Sequence, residues 1–157
     1  MNERPTLDDV FRKFGETAEA AQLLETELGT LLLDEQATKE GLLGGDGIRA
    51  TEIMRSINRD TLGGMVRRAK VPQSVEEIGV LLESALNTRN RLIHSFYRQH
   101  NMRKFSEEGR MIMMHDLETI HMTIFDAYKA LALLGGTDLD ELAKHEFTPQ
   151  TGHLPIG

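Results

Sequence analysis

Cysteine is absent from this chain, and so is tryptophan. Without cysteine there is no disulfide framework, no thiolate metal site and no cysteine nucleophile; such a composition fits a reducing cytosol. Aromatic residues make up only 5% of the sequence and proline only four positions. No apolar run approaches the ~18 residues needed to span a bilayer, so no membrane association is expected. The first residues, MNERPTLDD, are charged and carry no apolar core, which is not the pattern of a secretory signal. No alternating β-branched run of strand length occurs, and no period of 20–50 residues repeats. Phosphate-cradling Gly-x-x-x-x-Gly-Lys loops and Gly-x-Ser-x-Gly elbows are missing as well.

What remains is an ordinary globular composition, 39% hydrophobic and 27% charged over 157 residues. That length suits one domain with a core of its own. The net charge of −7 is unevenly spread: residues 1–62 carry −6, residues 63–110 carry +4, and residues 111–157 carry −5. An acidic protein is a poor general binder of polyanions. A local positive island can still hold one phosphate-rich ligand, or it can pair with the protein's own acidic helices.

The hydrophobic pattern is helical. Thr6-Leu7-Asp8-Asp9 has the spacing of a capping box with Asp in place of Glu. Val10, Phe11, Phe14, Ala18, Ala21, Leu24, Leu28 and Leu31 follow at helical spacing, predicting a helix over about 7–33. Gly15 and Gly29 inside it suggest close packing, or a weak point near Gly29. The glycine-rich stretch 41–47 reads as a connection, followed by short helices over 50–58 and 61–69. Ser74-Val75-Glu76-Glu77 is a full capping box opening a second long helix, about 75–101, with the stripe Ile78, Leu81, Leu82, Ala85, Leu92, Ile93 and Phe96. A third spans about 107–134, with Ile112, Leu117, Ile120, Ile124, Tyr128 and Leu131 as its stripe, and stops at Gly135-Gly136. Residues 138–145 add two turns. The expected fold is all-α, a bundle of three long helices plus short ones, forming a single domain over 1–146 with a flexible tail over 147–157.

One segment is chemically loaded. Residues 87–104, NTRNRLIHSFYRQHNMRK, hold five basic side chains, two histidines and no acid. On a straight helix His94 lies opposite the apolar stripe, with Asn87, Asn90, Arg91, Arg98 and Asn101 on its side, within ~60°. Asn90 and His94 are i, i+4 neighbours. This polar, acid-free face fits a polyanion site or a polar dimer interface. Arg89 points ~140° away, towards the line of Ala85, Leu92 and Phe96. It is therefore either buried and paired, with Asp116 or Glu118 as the nearest acids, or freed by a helix irregularity, or reaching across a dimer.

Arg89-Asn90-Arg91-Leu92-Ile93-His94 resembles the Arg-Asn-x-x-x-His motif of HEPN domains. The apolar helix before it, the Phe96-Tyr97 pair after it and the next long helix extend the resemblance over about residues 75–134. The resemblance implies a helical bundle of the kind used in prokaryotic defence and toxin–antitoxin systems, whose active members are metal-independent endoribonucleases working as dimers. It implies that His94 acts as acid and base, a role suited to a side chain that titrates near neutrality. It makes Arg89 the stabiliser of charge on the scissile phosphate and Asn90 the orienting hydrogen-bonding group. Arg91, Arg98, Tyr97 and Asn101 are the accompanying RNA- or phosphate-binding candidates. No cofactor and no metal are implied; the expected partners are a second copy, RNA and an antitoxin-like protein, in the cytoplasm. The alternative is a non-catalytic HEPN-like module that dimerises or binds a nucleotide or partner through the same face.

Other patterns are weaker. Glu118-x-x-His121 has the spacing of bundle di-iron ligands, but no second copy exists. His115, Asp116 and His121 form no obvious metal set. Met111, Met113, Met114 and Met122 could form an adaptable groove, or simply a helix core that uses Met. The cluster MVRRAK, residues 65–70, reads as a solvated helix end.

Overall fold

Thr6 and Asp9 start the first helix as a reciprocal pair. The Asp9 carboxylate accepts from the Thr6 backbone N–H (2.8 Å) and hydroxyl (2.9 Å), and the Thr6 Oγ1 accepts from the Asp9 N–H (3.1 Å). Two orphan donors are satisfied at once, as the capping-box spacing predicted. These bonds also hold the Asp9 carboxyl below its ordinary pKa. In the computed structural model, described here for residues 4–39, 48, 49, 52, 78–145 and 152, this helix (α1) runs Leu7–Lys39. It runs six residues beyond the predicted end at 33, and Gly29 is buried within it. Gly15, by contrast, faces open space, so close packing is not its reason.

The predicted second helix is divided. Among the described residues it appears as α2 (Gly79–His94) and α3 (Phe96–His100), followed by a 3₁₀ turn, Asn101–Phe105. Ser95, at φ −135°, separates the two helices, and the Arg98 guanidinium donates to the His94 carbonyl (3.1 and 2.6 Å). A side chain that takes a ladder carbonyl is a recognised cause of helix bending. The Ser74 capping box and the short helices over 50–58 and 61–69 lie outside the described residues, apart from Glu52. So does the tail over 147–157, apart from Gly152.

Ser106 caps α4 (Glu107–Leu134): its Oγ accepts from the Gly109 N–H at 3.0 Å. Two bonds close its far end, from the Thr137 N–H to the Ala132 carbonyl (2.8 Å) and from the Gly136 N–H to the Leu133 carbonyl (3.0 Å). With Gly136 at φ +89°, this is a Schellman cap. A short α5 (Leu139–Leu142) follows, capped by the Asp138 carboxylate. No strand occurs among the described residues.

The chain divides into two compact units, one from Met1–Leu24 and Val80–Tyr128, the other from Glu25–Gly79 and Lys129–Gly157. In the first unit, α1 is tied to α4 by the Arg4–Glu107 ion pair, by Arg110 donating to the Pro5 carbonyl (2.8 Å) and by Lys13 beside His121 (3.1 Å). Phe11 and Phe14 of α1 meet Phe96 and Tyr97 of α3 through ring contacts of 5.0–6.3 Å. The buried stripe of α4 reads Met113, Leu117, Ile120, Ile124 and Ala127, a strict helical repeat. It replaces the predicted Ile112, which is 49% exposed. Leu82, Ala85, Leu92 and Phe96 are buried as expected, whereas Leu81 and Ile93 face outward. In the second unit Leu28, Leu32, Leu131 and Ala132 are buried, and Lys129 pairs with Asp140 at 3.0 Å.

Candidate functional site

The loaded segment begins on the last two turns of α2. Asn90 and His94 are both solvent-exposed, one helical turn apart. Arg89 is half-buried, and its Nη1 donates to the Asn90 side-chain oxygen at 3.3 Å. Asn90 thus shares a face with His94 and a bond with Arg89, which stands ~140° from His94 around α2. Arg89 does not hold Asp116.

Arg91 does. Its guanidinium straddles the Asp116 carboxylate of α4, with Nη1 to Oδ2 at 2.9 Å and a second, short contact from Nη2 to Oδ1. The same Nη1 donates to the Gln99 side-chain oxygen at 2.9 Å, spanning the bend between α2 and α3. Asp116 also receives His100 Nε2 at 2.6 Å. His100 is only 4% exposed, and its ring lies against Phe96. Its other nitrogen, Nδ1, sits 3.0 Å from Arg103 Nη1. A guanidinium can only donate, so Nδ1 must accept, and the ring proton belongs on Nε2, aimed at Asp116. One carboxylate thus serves an arginine and a buried histidine. Burial alone would raise the Asp116 pKa, but the hydrogen bonds from Arg91 and His100 and the charge of Arg91 outweigh that, and the net shift is downward.

The remaining candidates are spread out. Arg98 caps the His94 carbonyl with its side chain. Tyr97 is half-buried against Phe11, Phe14 and Phe96, and burial pushes its phenol pKa up. Asn101 is exposed and carries the backbone at φ 53°, ψ −116°, a strained conformation for a residue with a Cβ. The structure therefore bonds Arg89 to Asn90, leaves His94 exposed one turn from Asn90, sets Arg91 in an internal ion pair, and puts Asn101 in the turn beyond.

Sequence reasoning missed the His100–Asp116 pair. The signal was there: an acid-free run of basic residues facing a helix whose first acid beyond its opening turn is Asp116. Arg91 lies ~60° from His94, at the edge of the polar face, and its long side chain reaches Asp116 from there; His100 stands one turn beyond the buried Phe96, a spacing that points inward. Elsewhere, His121 accepts from the Lys13 ammonium, and burial together with that charge lowers its pKa against the opposing pull of Glu16 and Glu19. Glu118 is exposed. Among the described residues no three His, Asp or Glu side chains are grouped to hold a metal ion, and no helix is long and apolar enough to cross a membrane.

Comparison with protein-family models, with curated proteins and with solved structures found no match in any of the three.

Proposed function

We propose that this chain is a HEPN-like, metal-independent endoribonuclease that acts as a dimer, with His94 as its acid–base group. The observation that carries the reading is the trio Arg89, Asn90 and His94 on α2, of which Asn90 and His94 are exposed and Arg89 half-buried. His94 and Asn90 are exposed one turn apart, and Asn90 accepts from Arg89, in a stretch without acids. Those are the groups RNA cleavage needs. The 2′-hydroxyl attacks the neighbouring phosphorus as its proton passes to an imidazole; the bond to the 5′-oxygen breaks as a second acid protonates it. One chain offers one imidazole in this trio, and a second copy supplies the other. Arg89 stabilises the charge that develops on the phosphoryl oxygens, and Asn90 orients it. A cytoplasmic toxin or defence effector, with an antitoxin-like partner to restrain it, follows from the same reading.

A second reading has its own observation. Arg91 is spent on Asp116, which lowers the positive charge of the face, while Val80, Leu81 and Ile93 leave apolar surface on α2. That favours a non-catalytic module that dimerises or binds a partner there.

The test is cleavage of varied RNAs by the purified chain in EDTA, beside His94→Ala with an unchanged helical CD spectrum. Cleavage that is lost in the variant supports the nuclease. No cleavage of any RNA, or equal cleavage by the variant, sinks it.

A further inference from the structure

The turn that follows His100 is held unusually firmly for a connection. Its first residue, Asn101, carries the strained backbone noted above. Its middle presses on the first turn of α4: a Cβ on Gly109 would lie 2.1 Å from the Arg103 carbonyl oxygen and 2.6 Å from the Arg103 Cα. The Arg110 guanidinium, itself anchored on the Pro5 carbonyl, donates to the Lys104 carbonyl at 3.1 Å. His100, buried on Asp116, fixes the entry to the turn.

What this rigid turn displays is apolar and basic. Met102 and Phe105 are each 65% exposed. Single exposed apolar residues are ordinary, but here two lie on one short turn whose backbone packs closely on Gly109. The Lys104 ammonium lies 5.1 Å from the centre of the Phe105 ring, covering one of its faces. Beside the turn runs a shallow groove of about 480 Å³ lined by Gln99, His100, Asn101, Met102, Arg103 and Ser106. Arg103 is exposed there, with one nitrogen on His100 and its other donors left for a ligand.

We infer that this turn is a stacking platform for single-stranded RNA: a base lies on the face of Phe105 that Lys104 leaves open, and the flanking phosphates engage Lys104 and Arg103. The charge argument selects the occupant: the turn itself carries Arg103 and Lys104, and of the two acids that open α4 Glu107 is already paired with Arg4. A preorganised aromatic beside cations is what sequence-tolerant binding of unpaired bases uses. The inference rests on the RNA-directed reading above and gives it a substrate class: unpaired strands, since a duplex keeps its base faces occupied.

The absence of tryptophan supplies the test. Phe105→Trp in the His94→Ala background gives a full-length chain with one fluorophore, at the proposed platform, that cannot cut the probe. Titration with a short oligouridine should quench its emission saturably, and a duplex RNA of equal length should not. By anisotropy, Phe105→Leu should bind the labelled oligouridine about tenfold more weakly than the Phe105 chain, the order expected for one lost base stack. Oligouridine binding with unchanged tryptophan emission and unaffected by Phe105→Leu would overturn the platform and leave the nuclease reading standing. Phe105-dependent binding by a protein whose wild type cleaves no RNA would do the reverse. Emission that shifts to the blue with protein concentration alone, alongside a doubled mass in sedimentation, would make the turn an interface between copies and overturn the inference.

Discussion

His94 and His100 belong to the same acid-free run, yet they end in opposite environments. His94 stands in solvent beside Asn90, at the end of α2. His100 is buried, held at both ring nitrogens between Asp116 and Arg103. Helix phase already separates them: along a straight helix they would differ by ~120°, and His100 stands one turn beyond the buried Phe96. The helix break at Ser95 lies between them, and beyond it α3 carries His100 onto Asp116 of α4. A histidine held at both nitrogens in a fixed tautomer is a structural part. An exposed one next to hydrogen-bonding groups is available for chemistry.

That contrast is broken most severely at Asp116. Replacing Asp116 by Ala leaves Arg91 and His100 without their acceptor. It should cost about 3 kcal/mol of stability, the order observed when one partner of a largely buried pair is removed. His94→Ala, at an exposed site, should change stability by less than about 0.5 kcal/mol. Urea unfolding of both variants measures the difference; equal losses would show that the two histidines are not placed as described. Next in size is Gly109→Ala. A methyl group there meets backbone atoms of Arg103 that have no rotamer to yield. The substitution should destabilise by about 2 kcal/mol, although alanine is otherwise the better helix residue by about 1 kcal/mol. A thermal melt that rises for Gly109→Ala would mean that the turn does not press on α4.

Much of this arrangement was legible beforehand. The helical pattern foretold α1, α4 and both of their caps, because capping boxes and glycine stops are local chemistry read at fixed spacing. It also offered Asp116 or Glu118 as the acid for an arginine of the segment, as one of three readings of Arg89; the structure gives Asp116 to Arg91 instead. Two residues of helix phase separate those choices; both arginines lie on the same unbroken helix, and the sequence does not say which edge of it meets α4. The break at Ser95 accompanies a side-chain bond from Arg98 to a carbonyl of its own segment, which no composition or period reveals. For the same reason the strained Asn101 and the close approach at Gly109 were invisible: each is set by how the turn meets α4. Swaps at the stripe edges, Met113 for Ile112 and Leu82 without Leu81, come from a helical period that fixes a face only to within one residue.

A third histidine sharpens the comparison with the smallest effect. His121 is half-buried and accepts at Nδ1 from the Lys13 ammonium (3.1 Å), which requires its neutral form. Burial first, then the Lys13 charge, depress its pKa below the ordinary 6.5, with Glu16 and Glu19 opposing. A depressed histidine binds its proton later in the folded state than in the unfolded one. Stability is therefore intact above the ordinary value and declines as pH falls through it towards the folded value. The depressed Asp116 carboxyl loses its contribution only in stronger acid, below the ordinary carboxylate value, so it does not mask this window. Wild-type protein should thus have a lower urea midpoint at about pH 5.5 than at about pH 7.5, and His121→Gln, which keeps an acceptor for Lys13 but cannot titrate, should narrow that gap. An unchanged gap in the variant would assign the pH dependence to another group and remove His121 from the set of histidines held neutral by a cation.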